Sequence, residues 1–415
     1  MPPRPTPRPP IPVSRSRAAA RRAARQQAIR RRRLVAGGVL LLLLIIVAVA
    51  LGSGGSSPNH AGSSGHSGGV AASTGSGHGT HGPVNVYSHD TPADLSATVK
   101  GDPALVYVPN TISNTVDVIS QRTFKVIDQF ATGNQPQHVT PSWNLRTLYV
   151  DNDLGNTVTP LDPRTGKPGT PIPVEDPYNM YNSPDGRYVI IVAERLQKLD
   201  FRQPGTMRLE HSLYIPQCAG LDHADFSPGG RYMFASCEFA GRMVEVDLKT
   251  LRVIRTLVLH GGRASPQDVK LSPDGQTLYT ADQLAGGLWE INPSTFKVTG
   301  FLRTGLGAHG LYPSRNAQDM YVSNRAAGTI SVVSFKTRHV IATWQLPQPA
   351  SPDMGGVSVD GKTLWLSGRY NSVVYAINTT TGHLRAAIPV GEGPHGLCVW
   401  PQPGRYSLGH TGIMR

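Results

Sequence analysis

The feature that most limits how this chain can fold is a short segment that recurs seven times between residues 135 and 400. Each copy except the last joins a β-type run to a polar turn of the Ser-Pro-Asp-Gly kind. Successive copies lie 41 to 45 residues apart, which is the length of a four-stranded propeller blade. The copies read QPQHVTPSW (135–143), DPYNMYNSPDG (176–186), GLDHADFSPGG (220–230), SPQDVKLSPDG (265–275), GAHGLYPSRN (307–316), SPDMGGVSVDG (351–361) and GPHGLCVW (393–400).

Between these copies the sequence alternates apolar and polar residues over short runs, such as TLYVDND (147–153), TISVVSF (329–335) and HLRAAIPVG (383–391). Alternation with a period of two, enrichment in β-branched and aromatic residues, and Gly-containing turns are typical of β-strands. No run after residue 90 has the period of an amphipathic helix. The sequence therefore predicts an all-β fold for residues 95–400.

The two ends of this domain complete each other. The run LVYVPN (105–110) reads as a second strand with no first strand before it, whereas GPHGLCVW (393–400) is a first strand with no blade after it. Pairing the two would close a ring and remove the exposed sheet edges. We therefore predict a seven-bladed β-propeller that is closed by its C-terminal strand.

The strand motifs LYVDN, MYVSN and VYVPN, together with the preceding SPDG-type turns, resemble the YVTN repeat of bacterial and archaeal propellers. The resemblance covers about residues 100–400 and implies a YncE-like seven-bladed propeller that is secreted or held at the cell surface. More distantly, the repeats are similar to the haem-binding propeller of nitrite reductase, the propeller of nitrous oxide reductase and lactonase propellers. Because one fold supports many functions, the resemblance predicts the fold and leaves the activity open.

Most of the net positive charge lies in a separate N-terminal region. Residues 1–33 contain eleven arginines and no acidic residue, which leaves +2 of the formal net charge of +13 for the remaining chain. So small an excess excludes a basic groove for nucleic acid in the main domain.

An apolar run of eighteen residues follows at positions 34–51, long enough for a membrane-spanning helix. The positive-inside rule then places residues 1–33 in the cytoplasm as an Arg/Pro-rich tail and the propeller outside, as a single-pass protein of the cell membrane. Residues 52–94 are rich in Gly, Ser and His, which is typical of a flexible linker. Cleavage after the Ala-Val-Ala segment at 48–50, or export by a twin-arginine route, remains an alternative to a retained anchor.

Polar residues recur at one position of the seven copies, give or take one residue. In a propeller, the first strand of each blade lines the central channel, so these side chains are expected to form a ring at its mouth. Imidazole and carboxylate groups are ligands for a divalent transition metal or haem, and they equally suit hydrogen bonding to water and backbone. The ring consists of His138, Asn179, His223, Asp268, His309, Asp353 and His395, and its four histidines and two aspartates are the candidate metal ligands.

Two further pairs of residues stand out. Arg325 and Arg369 end the second strands of neighbouring blades, where they either clamp an anionic ligand at the same mouth or form a salt bridge between blades. Cys218 and Cys237 flank a hairpin and are expected to form a disulfide in an exported domain, with a thiolate metal ligand or free thiols as alternatives. Cys398 is expected to pack in the closing strand.

The sequence contains no nucleophile elbow, zinc-protease motif, haem-attachment motif or phosphate-binding loop. We therefore expect a propeller that binds an extracytoplasmic protein or small ligand at the His/Asp mouth. The alternatives are a metal- or haem-dependent redox or hydrolytic enzyme of the lactonase kind that uses the same ring, and a structural protein of the cell envelope. The C-terminal tail (401–415), which contains His410 and Arg415, is expected over one rim of the ring.

Overall fold

The computed structural model describes residues 85–415. The predicted cytoplasmic tail, the apolar segment at 34–51 and the linker as far as residue 84 lie outside the described residues. Within residues 85–415 no helix is both long and apolar enough to cross a membrane.

Seven antiparallel sheets follow one another around a ring, and each is one blade of a β-propeller. Blade 1 combines a strand from near the C-terminus with the first three strands of the domain, and blades 2 to 7 each take the next strands in chain order. The all-β, seven-bladed prediction is confirmed.

The strands of blades 1 to 4 are β1 (Leu105–Asn110), β2 (Thr115–Ser120) and β3 (Lys125–Ala131); β4 (Pro136–Pro141), β5 (Leu148–Asn152), β6 (Thr157–Asp162), β7 (Lys167–Pro168) and β8 (Ile172–Pro173); β9 (Asn179–Asn182), β10 (Val189–Ala193), β11 (Lys198–Arg202) and β12 (Leu209–Tyr214); and β13 (Leu221–Phe226), β14 (Tyr232–Cys237), β15 (Arg242–Asp247) and β16 (Arg252–Val258).

The strands of blades 5 to 7 and of the C-terminal segment are β17 (Pro266–Leu271), β18 (Leu278–Asp282), β19 (Gly287–Asn292) and β20 (Lys297–Arg303); β21 (Ala308–Pro313), β22 (Asp319–Asn324), β23 (Thr329–Ser334) and β24 (His339–Gln345); β25 (Pro352–Val357), β26 (Thr363–Gly368), β27 (Val373–Asn378) and β28 (Leu384–Pro389); and β29 (Cys398–Trp400), β30 (Ser407–Gly409) and β31 (Ile413–Met414). Three short 3-10 turns lie at Pro92–Asp94, His260–Gly262 and His410–Gly412.

Burial decreases from the axis of the ring to its rim. First strands such as β4 and second strands such as β5 are buried along their whole length, whereas the outermost strands β16 and β24 alternate between exposed and half-buried residues. Apolar side chains of adjacent blades pack against each other, so that one cluster joins blades 3 and 4 and another joins blades 6 and 7. The hydrophobic core is therefore a set of layers between blades rather than one central cluster.

The ring has two distinct faces. On one face, which we call the turn face, hairpin turns such as residues 183–187 connect the first and second strands of the blades. On the opposite face, which we call the mouth face, the second strands end and the chain turns into the third strands. The tight turn at the turn face requires a left-handed residue, which Gly186 supplies with φ +69°.

The C-terminal strand closes the ring, as predicted. In the antiparallel register, Leu105 lies opposite Trp400 and Tyr107 opposite Cys398. Gln121 Nε2 donates 2.7 Å to the Trp400 carbonyl oxygen, and Trp400 Nε1 donates 3.0 Å to Asp102 Oδ2. Residues that are almost 300 positions apart thus share one sheet.

Residues 85–94, which the sequence assigns to the linker, pack against the turn face. Val86 N donates to the Pro273 carbonyl oxygen (2.9 Å), and Tyr87 Oη donates to the Leu271 carbonyl oxygen (2.7 Å). Asp90 accepts a 2.8 Å charge-assisted hydrogen bond from Arg315 Nη1. The packed part of the chain therefore includes residue 86, nine positions before the predicted start of the propeller.

Cys218 and Cys237 form a disulfide in blade 4, with their Cα atoms 4.9 Å apart. The bond ties the segment before β13 to the end of β14, beside the channel. Cys398 is a free, fully buried cysteine. Burial raises the pKa of its thiol, so Cys398 acts as an apolar packing residue.

The closing strand is expected to contribute several kcal/mol to stability. Trp400 is fully buried, so Trp400→Ala should lower the free energy of unfolding by about 3–5 kcal/mol through the lost burial and the remaining cavity. Urea unfolding measures this change. Tyr214→Ala in β12, where Tyr214 is 66% exposed, is the control and should cost less than about 0.5 kcal/mol. Equal effects of the two variants would show that closure adds no stability.

Candidate functional site

A β-bulge in the first strand of most blades shapes the channel. In blade 2 Pro136 pairs with Asn152 and Val139 with Val150, so the two residues between Pro136 and Val139 are left over. The same shift in register occurs in β13, β17, β21 and β25. A bulge turns its extra residues out of the regular pleat, and here it gives each blade two consecutive channel positions.

The predicted residues occupy both of these positions. We call the position nearer the mouth face the first ring and the next position the second ring. The first ring consists of Gln137, Tyr178, Asp222, Gln267, His309, Asp353 and His395, and the second ring of His138, Asn179, His223, Asp268, Gly310, Met354 and Gly396. The seven predicted positions therefore lie on two rings rather than on the single ring expected from the sequence.

The physical reason is a difference in spacing that is visible in the sequence. From the turn serine back to the channel residue there are four positions for His138 and His223, but five for His309 and Asp353. In a strand a shift of one residue reverses the direction of a side chain, and only the bulge lets both positions face the channel. All seven predicted side chains are 0–3% exposed.

A fifth polar side chain, which the prediction did not place in the ring, joins the four polar residues of the second ring. His410, from the C-terminal segment, lies with its ring centroid 4.4 Å from that of His223 and 5.2 Å from that of His138. Asn179 Nδ2 lies 3.0 Å from His223 Nδ1 and 3.1 Å from His410 Nδ1, so one amide holds two imidazoles. His138 Nδ1 donates 2.8 Å to the Tyr178 carbonyl oxygen.

The C-terminal segment reaches this ring by entering the channel from the turn face. Ser407 N donates to the Trp143 carbonyl oxygen at a turn, and Gly409 then pairs with Tyr181 of β9. A Cβ atom at Gly409 would lie 2.5 Å from the Met180 carbonyl oxygen, so only glycine permits this close approach. The tail therefore fills part of the channel instead of lying over a rim.

The last residue anchors the tail. Arg415 Nη2 donates 2.7 Å to Asp225 Oδ1, and the guanidinium lies 5.1 Å from the ring centre of Tyr87. No repeat unit contains the tail, so the recurring pattern had no means of revealing the position of His410.

In the first ring, His309, Asp353 and His395 form a second group. Asp353 Oδ1 lies 3.3 Å from His309 Nδ1, and Asp353 Oδ2 lies 3.7 Å from His395 Nε2. Arg325 Nε lies 3.5 Å from Asp353 Oδ1, across the boundary between blades 6 and 7. Arg325 therefore forms the ion pair between blades that was one of its two predicted roles. Arg369 Nη1 is buried without a hydrogen-bond partner.

Burial determines the charge of these groups. It lowers the pKa of His138 to about 3 and the pKa values of His223, His309 and His395 well below the usual range. The imidazoles are consequently neutral at pH 7. Burial also raises the pKa of Asp353, although the neighbouring arginines Arg325 and Arg369 offset part of that rise.

A third ring, which we call the mouth ring, consists of the residue that directly follows the second strand of each blade. It contains the predicted Arg325 and Arg369 together with five residues that the prediction missed. Its members are Thr111, Asp153, Glu194, Glu238, Gln283, Arg325 and Arg369. The acidic residues belong to blades 2 to 4 and the arginines to blades 6 and 7, so the mouth is divided by charge.

The carboxyl groups on the acidic side of the mouth are not all paired with cations. Burial, and then the nearby Glu238 carboxylate, raise the pKa of Glu194 to about 8. Burial also raises the pKa of Glu238, and the pKa of Asp222 in the first ring rises well above its usual value for the same reason. Both oxygens of Asp222 are buried without a hydrogen-bond partner.

Large apolar side chains surround the mouth ring. They follow the ring residue on five of the seven blades, and we call this set the collar. The collar consists of Ile112 (61% exposed), Leu154 (44%), Phe239 (69%), Leu284 (68%) and Tyr370 (74%). Leu196 (41%) and Leu306 (64%) lie in neighbouring loops. The sequence repeats already contain this pattern, because each collar residue directly follows a mouth-ring position, as Tyr370 follows the predicted Arg369.

These observations define a closed seven-bladed propeller with a polar channel centre. The chain belongs to the YNCE-like beta-propeller family, whose model matches residues 89–403. No curated protein sequence matches the chain.

Solved propellers resemble the fold. A chain of Kuenenia stuttgartiensis hydrazine synthase aligns with a TM-score of 0.59 and 19% identity, over 74% of this chain and 100% of that one. A functionally unknown protein from Desulfotomaculum acetoxidans aligns with a TM-score of 0.60 and 13% identity, over 71% and 98%. Dihydro-heme d1 dehydrogenase NirN in complex with DHE aligns with a TM-score of 0.55 and 15% identity, over 76% and 79%. At these identities the likeness shows the fold alone.

The channel residues do not fit a haem. The centroids of the imidazoles of His138, His223, His309 and His395 lie 4.8–6.4 Å from those of their neighbours in the group. A macrocycle would have to separate these rings, because it presents a wide flat surface to its axial ligands. Such spacing suits a single ion or direct hydrogen bonding.

The buried imidazoles make stability depend on pH. An unfolded histidine titrates near pH 6.5, so below that pH the unfolded chain binds more protons than the folded chain, and the free energy of unfolding falls. Because the pKa of His138 is about 3 when folded, His138→Gln should remove about 2 kcal/mol of this loss at pH 5.

Urea unfolding at pH 7 and pH 5, with a chelator present, measures the effect. The exposed His383 provides the control variant His383→Gln, which should show the pH dependence of the wild type. If His138→Gln also retained that dependence in full, the buried histidine would not be its source.

Proposed function

We propose that this protein is a membrane-tethered binding propeller that docks a partner protein on its mouth face. One observation carries the proposal: the same repeat position bears a large, exposed apolar side chain on five blades. Soluble proteins rarely expose contiguous apolar surface without an interaction to cover it. Repetition around one mouth also distinguishes these residues from scattered surface leucines.

The collar offers enough apolar area for specific docking. Phe239, Leu284 and Tyr370 are each more than two-thirds exposed. Fully burying a side chain of this size contributes about 1.5–3 kcal/mol. Aromatic residues are also enriched among the few side chains that dominate interface energies. A protein surface is the occupant that can cover several blades at once.

The mouth ring inside the collar adds specificity. Glu194 and Glu238 present carboxyl groups on one side, and Arg325 and Arg369 present guanidinium groups on the other. A basic group of the partner would favour the ionised form of Glu194, whose pKa burial raises to about 8. Complementary charge across an interface selects the partner and fixes its orientation. We therefore expect the partner to bring a basic group to blades 3 and 4 and an acidic group to blades 6 and 7.

This proposal shifts the contact surface away from the His/Asp rings. Those side chains are 0–3% exposed and lie below the mouth ring, so a docked protein meets the mouth ring and the collar. The same burial argues against a hydrolytic or redox enzyme that would need its substrate to reach the histidines. A cleft of about 650 Å³ opens instead at the turn face, between residues 85–89, two hairpin turns and the tail.

The proposed location follows from the sequence and is supported by the disulfide. An apolar segment after eleven arginines suits a single membrane span with the propeller outside the cytoplasm. The Cys218–Cys237 bond suits an oxidising compartment. The described chain begins at the turn face, on the side of the ring opposite to the mouth face.

Site-specific photo-crosslinking in the native cells tests the docking surface. A photoreactive phenylalanine analogue at position 239 or 284 should form one crosslinked product of defined mass with another protein. The same analogue at position 209 or 254 is the matched control, because Leu209 (44% exposed) and Ile254 (46% exposed) lie on the outermost strands β12 and β16 near their turn-face ends. These positions should not form that product.

Substitution of collar residues measures how strongly they contribute to partner binding. Phe239→Ser with Leu284→Ser should weaken crosslinking from position 370 at least about tenfold, since about 1.4 kcal/mol corresponds to a factor of ten. Ile254→Ser with Leu209→Ser should leave it unchanged. Identical products from collar and control positions, or collar crosslinks only to lipid or to a second copy of this chain, would overturn the proposal.

A further inference from the structure

We propose that His138, His223 and His410 together hold a divalent transition metal ion of the zinc class, with the C-terminal tail supplying the third ligand. One ring nitrogen of each residue lies within 4.8 Å of a ring nitrogen of the other two. This site lies in the second ring and is independent of the docking surface on the mouth face. Imidazole is a preferred ligand of Zn²⁺, and three histidines form a known type of zinc site.

The unsatisfied atoms of the three rings point to a missing ligand. The Nε2 atoms of His138 and His410 are buried without a hydrogen-bond partner, and His223 Nε2 has only the Asp222 carboxylate nearby, at 3.1 Å and without hydrogen-bond geometry. All three side chains are fully buried. An unpaired buried polar atom costs about 1–3 kcal/mol. A metal ion accepts such lone pairs and would convert this cost into binding free energy.

The other nitrogen of each ring is held in place. The Tyr178 carbonyl oxygen accepts from His138 Nδ1 at 2.8 Å, which leaves the His138 Nε2 lone pair available. Asn179 Oδ1 lies 3.3 Å from His410 Nδ1 and can accept its N–H, which leaves the His410 Nε2 lone pair available. Asn179 Nδ2 lies 3.0 Å from His223 Nδ1 and donates to it, so metal binding through His223 Nε2 requires this hydrogen bond to be exchanged. Metal-binding histidines are characteristically oriented by a hydrogen bond at the second nitrogen, which fixes the ring and the tautomer.

Carboxylates beside the site favour a cation. Asp222 Oδ1 lies 3.1 Å from His223 Nε2, and Asp268 Oδ1 lies 3.7 Å from His410 Nε2. Lys270 Nζ lies 3.3 Å from Asp268 Oδ1 and balances that carboxylate. Asp222 has no such cation among the ion pairs of the described residues, so its buried charge would be compensated by a dication nearby.

The neighbouring group of His309, Asp353 and His395 has ligands at similar spacing but the opposite electrostatic surroundings. Arg325 Nε already lies 3.5 Å from Asp353 Oδ1. Arg369, whose Nη1 is buried without a hydrogen-bond partner, belongs to the mouth ring of the same blade as Asp353. Two guanidinium groups beside a dication are repulsive, so the metal is assigned to the second ring.

The assignment gives the tail a role. His138 belongs to blade 2, His223 to blade 4 and His410 to the segment after the closing strand. A bound ion would connect two non-adjacent blades to the C-terminus across the channel. Because the unfolded chain offers no preformed site, metal binding would stabilise the folded ring.

The test uses full-length protein purified from membranes without immobilised metal, and compares wild type with His410→Gln and His383→Gln. After dialysis against zinc and removal of free ion, plasma mass spectrometry should find about one zinc per chain in wild type and in His383→Gln. His410→Gln should bind zinc at least about tenfold more weakly, since removing even an outer-shell partner costs about 10–100-fold in affinity.

Cobalt provides a spectroscopic signature. Co²⁺ alone should give visible absorption bands in wild type, and these should be absent from His410→Gln. Zinc should raise the melting temperature of wild type and His383→Gln but not of His410→Gln. Circular dichroism of the metal-free proteins distinguishes ligand loss from misfolding.

Three outcomes would overturn the proposal. The first is wild-type protein that binds neither zinc nor cobalt and shows no shift in melting temperature. The second is a folded His410→Gln variant that binds zinc as tightly as wild type. The third is loss of metal in His309→Gln with retention in His410→Gln, which would place the ion in the first ring. Failure of any of these tests leaves the crosslinking at the mouth face unaffected, so the two proposals are judged separately.

Discussion

Every other feature of the structure depends on the backbone pairing between β1 and β29. Without it, the ring would end in two unpaired strand edges, each presenting free backbone donors and acceptors. The pairing brings Trp400 opposite Leu105 and buries it completely. It also places the end of β29, the channel-lining strand of blade 1, where the fifteen residues that remain can enter the centre of the ring from the turn face.

The tail shows how closure leads to the channel site. Gln402 Nε2 donates 2.7 Å to the Val399 carbonyl oxygen, which holds the chain against the closing strand as it leaves the sheet. The hairpin of β30 and β31 then adds to β9, and Arg415 is paired with the buried Asp225. His410 is presented between these two anchors. Its position is therefore set by contacts on both sides rather than by the repeat that builds the blades.

The repeat explains why the fold was largely predictable from the sequence. Seven copies in phase specify the number of blades, and the incomplete first and last units specify the closure. Local patterns of alternation and turn residues agree with this global arrangement, which is the condition for a strong prediction. The disulfide was predictable for a related reason, because the two cysteines flank one hairpin, in which Cys237 lies opposite Leu221, three residues after Cys218.

The site was predictable in part, and the limits have physical causes. Alternation in a regular strand assigns a side chain to one face only, whereas the bulge admits two consecutive residues to the channel. His309 and Asp353 therefore reach the channel from a different ring than His138 and His223. His410 lay beyond any repeat argument, since its neighbours are determined by the path of the tail.

The structure separates two kinds of position that a propeller repeats with every blade. Bulge residues such as His138 and Asp353 are fully buried, so their polar atoms must be satisfied within the channel by one another, by a neighbouring blade or by an ion. Collar residues such as Phe239 and Tyr370 follow the ends of the second strands, where no part of the described chain covers them. Since the two sets lie on different sides of the mouth ring, a change in the collar can alter the partner while the channel keeps its internal network. Substituting one of the channel histidines would instead change the stability of the ring, because these histidines connect blades 2 and 4 to the tail.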